Sequence, residues 1–543
     1  MNIKNKIVLV LLFLIVSLSL VLRCYKLSSV PPSLSWDEAA VGYNAFSIAN
    51  YGIDEWGNKF PLVFKSFEDY KHPVHIYTTA FFVKLFGLSD FSTRIPSALF
   101  GVFNVILLFF LGRALFKSDL IGIAASFILA ISPYNLQFSR FNHELNLAVF
   151  WFMLGLVLFY RGIGKRRFSL PLSFAAFGIS LLTYHSAKIV VPLIVIALIF
   201  LYRKELISKG KEFILSLAVL GIFVGVIVVN PQLLGTARLK QTGFSDSEIQ
   251  KTYLYAKTGN RLLGRVEIVA KQYSWHFKPQ FLFVSGDKNL RHSTQVVGEF
   301  YKIDTPFLLV GALAALWMIL KRKSRESSIL LLWALLAPVP SAFVNEAPHA
   351  ARAMFMTGSW HTIAALGFVF TLRALKDLRL KIVFSVILIA ILGYYVKGYL
   401  TYYYREYGKR YAIEWQYGMK EIVGYLKSQK NVGAVYMTNV RQQPYIFFLY
   451  YLKYPSPQFL DRVKYNNTLS KSFSTVSSFA KYHFLDDMDF TYSPAGYGIY
   501  YVLTGPEYDG LFYRNSFEVK EIVKYPNGSD AFYIVTAKDI IPE

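Results

Sequence analysis

In a chain dominated by apolar residues, the polar groups that are costly to place mark where chemistry could occur. Five clusters stand out. Ser35-Trp36-Asp37-Glu38-Ala39-Ala40 follows the Pro31-Pro32 turn and leads into a helical spacing of Val41, Asn44, Ala45 and Ile48. Adjacent carboxylates at a membrane edge suit a general base whose pKa is set by partial burial. The first turn of any helix also favours acidic residues, so a simple cap explains the pair equally well. Asp69-Tyr70-Lys71-His72-Pro73, followed by Arg94-Ile95-Pro96-Ser97, offers cations for a phosphate, or an ordinary basic loop. Ser139-Arg140-Phe141-Asn142-His143-Glu144 concentrates charge in a short segment between apolar runs. His143 and Glu144 are metal-ligand types, although adjacent residues seldom converge on one ion. The fourth cluster is Ser285-Gly286-Asp287 with Arg291-His292-Ser293. The fifth is Asn345-Glu346-Ala347-Pro348-His349-Ala350-Ala351-Arg352. Both set Arg and His beside small residues, which suits close approach to a phosphate oxygen or the capping of loop ends.

Missing motifs narrow the chemistry. The chain has no Gly-x4-Gly-Lys-Ser/Thr loop, no Gly-x-Gly-x-x-Gly fingerprint and no Gly-x-Ser-x-Gly elbow. ATP-driven transport through this chain is therefore disfavoured.

The elements that must position these clusters are membrane helices. The 543 residues are 54% hydrophobic and 17% charged, against about 25% charged in soluble proteins. Apolar runs of about 15–22 residues recur, each able to cross a bilayer core of about 30 Å. Eleven candidate spans lie near 7–22, 95–115, 120–137, 145–161, 169–184, 187–202, 213–229, 305–320, 327–343, 357–373 and 381–398. The first run lacks a signal-peptide cleavage site and is expected to stay as a helix. The single cysteine, Cys24, excludes an intramolecular disulfide.

The net charge of +24 does not point to nucleic acid, because the basic residues gather in alternate short loops. Arg113 and Lys117 lie in one such loop, and Arg161, Lys165, Arg166 and Arg167 in the next. Arg203, Lys204, Lys209 and Lys211 follow, then Lys321, Arg322, Lys323 and Arg325, then Arg373, Lys376, Arg379 and Lys381. By the positive-inside rule the N-terminus is cytoplasmic. The loops 23–94 and 230–304 and the tail from 401 then share the outer side of a plasma membrane protein. β-like runs at Gly433–Met437, Gly498–Leu503 and Ala531–Val535 and a helical pattern at Met419–Lys427 predict a small extracytoplasmic α/β domain over 401–543. Residues 1–400 form the transmembrane domain. Tyr399, Tyr402, Tyr403, Tyr404 and Tyr407 suit interfacial anchors.

Taken together, the first two clusters resemble a known pattern. Trp36-Asp37-Glu38 is followed by Tyr43, Asn44 and Gly52, then Lys71-x-Pro73, Tyr77, Gly87 and Arg94-Ile95-Pro96-Ser97-Ala98-Leu99. This is similar to the first outer loop of family 39 of the GT-C membrane glycosyltransferases, which includes protein O-mannosyltransferases and aminoarabinose transferases. The likeness covers about residues 23–160, and the topology extends it to about 400. It implies a GT-C-like fold of about eleven transmembrane helices. It also implies a polyprenyl-phosphate sugar donor, mannose by default, an inverting transfer, and a protein, lipid or glycan acceptor. Asp37 would be the base and Glu38 its support, and Glu144 would be the acid of the second outer loop. Tyr70 stands where the aminoarabinose branch has Glu, which weakens any claim to that branch's acceptor or metal site. Independently of the family, the chemistry calls for cations beside the leaving phosphate. Lys71, His72, Arg94, Arg140, His143, Arg291, His292, His349 and Arg352 are the candidate substrate-binding residues, with Glu144. The sequence assigns no cofactor with certainty, and a divalent cation stays open. The rival is a transporter or flippase that makes no bond. It would carry charges in mid-span, whereas here they gather at the outer helix ends.

Overall fold

The computed structural model describes residues 3–67, 69–164, 168–235, 243–466, 475–486, 498–511 and 513–538. Lys165, Arg166 and Arg167 of one basic loop lie outside them.

A helix satisfies its own backbone, so apolar runs without internal breaks fold as helices. In chain order these are α1 (Ile3–Cys24), α2 (Trp36–Tyr51), α3 (Pro73–Phe86), α4 (Asp90–Phe116), α5 (Asp119–Ile131), α6 (Pro133–Ser139), α7 (Leu145–Gly162), α8 (Ser169–Leu181) and α9 (Ala187–Leu201). Later come Gly210–Val229, Thr305–Arg322, Arg325–Leu336, Met356–Ala374 and Leu378–Tyr402. Every expected span contains helix, but not every one is a full-length rod. Among the described residues six helices are long and apolar enough to cross a membrane, and up to seven if α5 and α6 make one span. That pair bends by 58° at Pro133, whose ring supplies no N–H to the ladder. Pro338 follows the end of Arg325–Leu336, and Gly358, at φ +96°, kinks Met356–Ala374. The chain is an integral membrane protein of mostly helical build with a C-terminal sheet.

Contacts divide it into two compact units: 1–25, 69–75 and 97–402, and 26–68, 76–96 and 403–543. In the first, two helices meet at glycines. A Cβ on Gly311 would lie 1.9 Å from the Ile363 carbonyl, and one on Gly367 would lie 1.9 Å from that of Phe307. Only glycine permits this approach of Thr305–Arg322 to Met356–Ala374.

The second unit holds a seven-stranded sheet. Its strands are β1 (Ala434–Thr438), β2 (Val463–Tyr465), β3 (Val476–Phe479), β4 (Tyr482–Leu485), β5 (Ile499–Thr504), β6 (Phe517–Lys524) and β7 (Asp530–Ala537), ordered β2-β3-β4-β1-β5-β7-β6. β1 is central and parallel to both neighbours, with Val435 opposite Tyr482 and Tyr500. The remaining pairs are antiparallel. The three expected strands are β1, β5 and β7, and the expected helix is Met419–Ser428. The unit is larger than the tail. Ala39, Tyr43 and Ala45 of α2 share its core with Met437, Phe448, Val502 and Ile534. The expected boundary near 400 therefore marks only where the first unit ends, at Tyr402.

Candidate functional site

The acidic pair opens α2 in the second unit. The Glu38 amide donates to Ser35 Oγ at 3.4 Å, and the Ser35 amide donates to Glu38 Oε2 at 3.0 Å, a reciprocal cap. Glu38 also receives Arg94, with Nε 2.9 Å from Oε1 and Nη2 3.3 Å from Oε2. The other guanidinium protons go to the carbonyls of Leu27 at 3.1 Å, Pro31 at 2.8 Å and Ser33. All five donors of Arg94 are engaged within the fold, and its side chain is fully buried. Arg94, expected as a phosphate ligand, here fastens the proline turn to the first turn of α2. Glu38 is likewise a buried structural partner, and Asp37 beside it is half-buried.

The other candidates belong to the first unit. Arg140 turns inward as well. Nη1 donates to the carbonyls of Leu22 (2.8 Å) and Arg23 (3.1 Å), and Nη2 to that of Tyr25 (2.7 Å). These carbonyls lie at the C-terminal end of α1 and just beyond it. Arg140 thus braces the end of α1.

The remaining side chains converge at loops between apolar helices. His143 Nδ1 lies 3.1 Å from Glu144 Oε2. Burial alone would push the Glu144 carboxyl up, but His143, Lys71 and His75 outweigh it and hold it well below the usual carboxylate range. His75 Nε2 meets Asn142 Oδ1 at 2.6 Å, and burial lowers its pKa to about 4. His72 bonds the Lys188 ammonium, which also lies 3.4 Å from His185 Nδ1. His143 packs on Tyr184, with ring centroids 6.0 Å apart. Phe138 stands between His143 and His292, at 6.3 and 5.3 Å from their rings.

Asp287, His292 and His349 form the next group. His292 Nδ1 is 2.9 Å from Asp287 Oδ2, and His349 Nδ1 is 3.9 Å from the same oxygen. Backbone amides brace the carboxylate, from Ala350 at 2.7 Å and Asn289 at 2.9 Å. Burial works against the Asp287 anion, yet His292 and His349 hold its pKa below the ordinary value. Burial lowers His292 in turn, against the pull of Asp287. One atom from each residue lies within 4.8 Å of the others. An ionised carboxylate with neutral imidazoles is the donor set that zinc and similar divalent ions take, so these residues fit a cation. The sequence directs attention to His143 and Glu144 for a metal; the three-donor group among the described residues is this one instead. Arg352 Nη1 lies 3.3 Å from Glu346 Oε2, which is 3.7 Å from His349 Nε2. The half-buried Arg291 accepts at its carbonyl from Gln137 Nε2 at 2.6 Å.

The first unit thus brings together Lys71, His72, His143, Glu144, Arg291, His292, His349 and Arg352, and Arg140 of the same unit faces the end of α1. Asp37, Glu38 and Arg94 belong to the second unit. The sequence also left His75, His185, Lys188 and Asp287 unassigned. Their one local signal is a polar break in an apolar run, as at Tyr184-His185-Ser186-Ala187-Lys188.

Residues 70–231 match the family model described as dolichyl-phosphate-mannose-protein mannosyltransferase. A stretch of 152 residues is 30% identical to YycA of Bacillus subtilis (strain 168), provisionally named a mannosyltransferase, and covers 28% of this chain and 22% of that protein. Among solved structures, ArnT from Cupriavidus metallidurans bound to undecaprenyl phosphate aligns with a TM-score of 0.54 at 14% identity, over 98% of each chain. The archaeal oligosaccharyltransferase AglB from Archaeoglobus fulgidus, in complex with an inhibitory peptide and a dolichol-phosphate, aligns with a TM-score of 0.52 at 13% identity. That match covers 83% of this chain and 64% of AglB. This chain therefore has the fold of the GT-C membrane glycosyltransferases, and its residues 70–231 match the mannosyltransferase family.

Proposed function

We propose that the chain is a membrane glycosyltransferase that moves a sugar, mannose by default, from a polyprenyl-phosphate carrier to an acceptor hydroxyl on the outer face of the plasma membrane. The observation that carries this reading is the group of cations and imidazoles at loops between apolar helices: Lys71, His72, Arg291, His292, His349 and Arg352. A lipid-linked phosphate needs both an apolar surround and positive charge, and such charge acts most strongly where water is scarce. The family match at 70–231 and the fold support the same class.

In the proposed reaction Asp37 takes the proton of the acceptor hydroxyl. The acceptor oxygen bonds the anomeric carbon as the bond from that carbon to the carrier phosphate breaks. The electron pair leaves on the phosphate oxygen, so the products are the glycosylated acceptor and the polyprenyl phosphate. A single displacement of this kind inverts the anomeric centre. Glu38 keeps Asp37 in place by fixing the first turn of α2. Asp287, His292 and His349 would hold a divalent cation, whose charge would help neutralise the phosphate.

The test incubates membranes containing the chain with labelled polyprenyl-phosphate mannose and related donors. Label appearing in a protein, lipid or glycan supports transfer. No label above that of membranes lacking the chain, with every donor, rules it out.

A further inference from the structure

His185 and Lys188 have no assigned step in that reaction, yet they build a distinctive arrangement. The Lys188 ammonium, on the first turn of α9, bonds His72 Nε2 and faces His185 Nδ1 at 3.4 Å. The two imidazoles meet edge to face, with centroids 4.3 Å apart. His72 is buried and also bonds the Leu233 carbonyl. A ring nitrogen that donates to that carbonyl leaves the other as a lone pair, so His72 receives the ammonium as a neutral acceptor. Burial, and then the Lys188 charge itself, hold the His72 pKa well below its ordinary value, in keeping with that tautomer. His185 is held just as closely. A Cβ on Gly235, at φ +73°, would lie 2.5 Å from its Nδ1.

The consequence is a cation oriented by two bases that do not cancel its charge. Among the described residues no carboxylate is within ion-pairing distance of Lys188, and the Asp69 charge acts on it from farther off. Burial against neutral partners favours the uncharged amine, and a bound anion would restore the ammonium form. An ammonium has three donors, and two imidazoles account for two of them. Lys71, next to His72, adds a second positive charge, which acts on Glu144. Two cations among apolar helix ends match a lipid-linked phosphate, as the sugar-bearing diester or the monoester left after transfer.

We infer that Lys188, oriented by His72 and His185, is a further donor-binding residue whose ammonium bonds a phosphate oxygen of the polyprenyl carrier; this rests on the transferase reading above. His185 is a positioning residue. The rival role is mechanical: Lys188 would only fasten residues 69–75 to α9. A fastener raises stability but does not distinguish a phosphate-bearing ligand from a neutral one.

The full chain in detergent is titrated with undecaprenyl phosphate, with undecaprenol, which lacks the phosphate, and with inorganic phosphate. Lys188→Met is expected to weaken undecaprenyl phosphate binding about 10- to 100-fold, as for a lost charge-assisted bond. Undecaprenol binding should be unchanged, and Lys188→Arg should recover most of the loss. Loss for both phosphate ligands supports a headgroup contact that needs no tail; loss for the lipid alone supports one that does. If Lys188→Met melts early, Lys188→Gln makes the same comparison with hydrogen bonding kept and charge removed. Equal undecaprenyl phosphate affinity in wild type and the neutral variants overturns the assignment while leaving the transferase reading intact. A wild-type chain that binds no polyprenyl phosphate overturns the transferase reading itself, and this assignment with it.

Discussion

Glu38 and Arg94, 56 residues apart in sequence, form a two-point ion pair with neither side chain exposed. Such a pair tolerates loss of one partner badly, because the survivor stays buried without compensation. Glu38→Gln should therefore destabilise the fold by about 3–5 kcal/mol. Glu38→Gln combined with Arg94→Met should recover part of that loss, because the two sites are coupled. Thermal melts of the three proteins check this. An unchanged melt for Glu38→Gln would show that the pair contributes nothing to stability.

Asp37 should behave differently from its neighbour. Ser35 caps α2 and Asp37 lies in its first turn, so Asp37→Asn gives up only a favourable first-turn charge and should melt nearly normally and bind donor normally. Loss of a general base lowers rate about 10²–10⁴-fold. Sugar transfer by purified Asp37→Asn measures this directly. Transfer at the wild-type rate would reduce the residue to a first-turn charge of α2.

Chelation addresses the Asp287, His292 and His349 group. A ligand that binds only the folded state raises its melting temperature. Treatment with a chelator should lower the melting temperature of the wild-type chain, and restored zinc or manganese should raise it again. His349→Ala should respond to neither. A wild-type melt indifferent to chelator and to added metal would leave the three residues as a hydrogen-bonded brace.

Acid should weaken the fold partly through His75. Burial holds its pKa at about 4, below the ordinary 6.5. Between those values the unfolded chain takes a proton that the folded chain refuses. Stability is therefore full above about pH 6.5 and falls as pH drops towards 4. At pH 5 the loss from this one group is about 2 kcal/mol. His75→Gln should lose less stability than wild type between pH 7.5 and pH 5. Identical losses would show that His75 takes no part in the acid response.

Topology can be tested with accessibility reporters placed after residue 543 and in the basic loop at Lys204. The alternation of basic loops predicts opposite sides for the two, with the tail outside. Reporters on one side would overturn that topology, and opposite sides with the tail inside would reverse its orientation.

The spans were readable because a bilayer-length apolar run leaves a backbone few alternatives. Their breaks were less so. Pro133 is plain in the sequence, but whether a proline bends a span or ends it depends on what packs beside it. In the tail, β1, β5 and β7 carry strong β-branched or aromatic runs. β6 reads Phe-Glu-Val-Lys-Glu-Ile-Val-Lys and alternates with charge, while β2, β3 and β4 have three or four residues each. Such short segments have no signature of their own apart from their neighbours. Arginine proved the least legible residue. Arg94, Arg140 and Arg352 all looked suited to a phosphate, yet the first two hold carbonyls that only the folded chain brings within reach. Lys188 shows the reverse case: its importance comes from His72, 116 positions away.

Because the core of the second unit unites α2 with the tail, its parts are synthesised far apart in time. The Trp36 amide donates to Gln416 Oε1 at 3.2 Å across 380 positions of chain. At about 5–20 residues per second, that contact must wait some tens of seconds after α2 emerges. Throughout that interval Ala39, Tyr43 and Ala45 lack the partners that bury them. Nascent chains stalled before residue 403 should therefore present an adhesive apolar face, making residues 26–68 a client for chaperones during biogenesis rather than an early-folding domain.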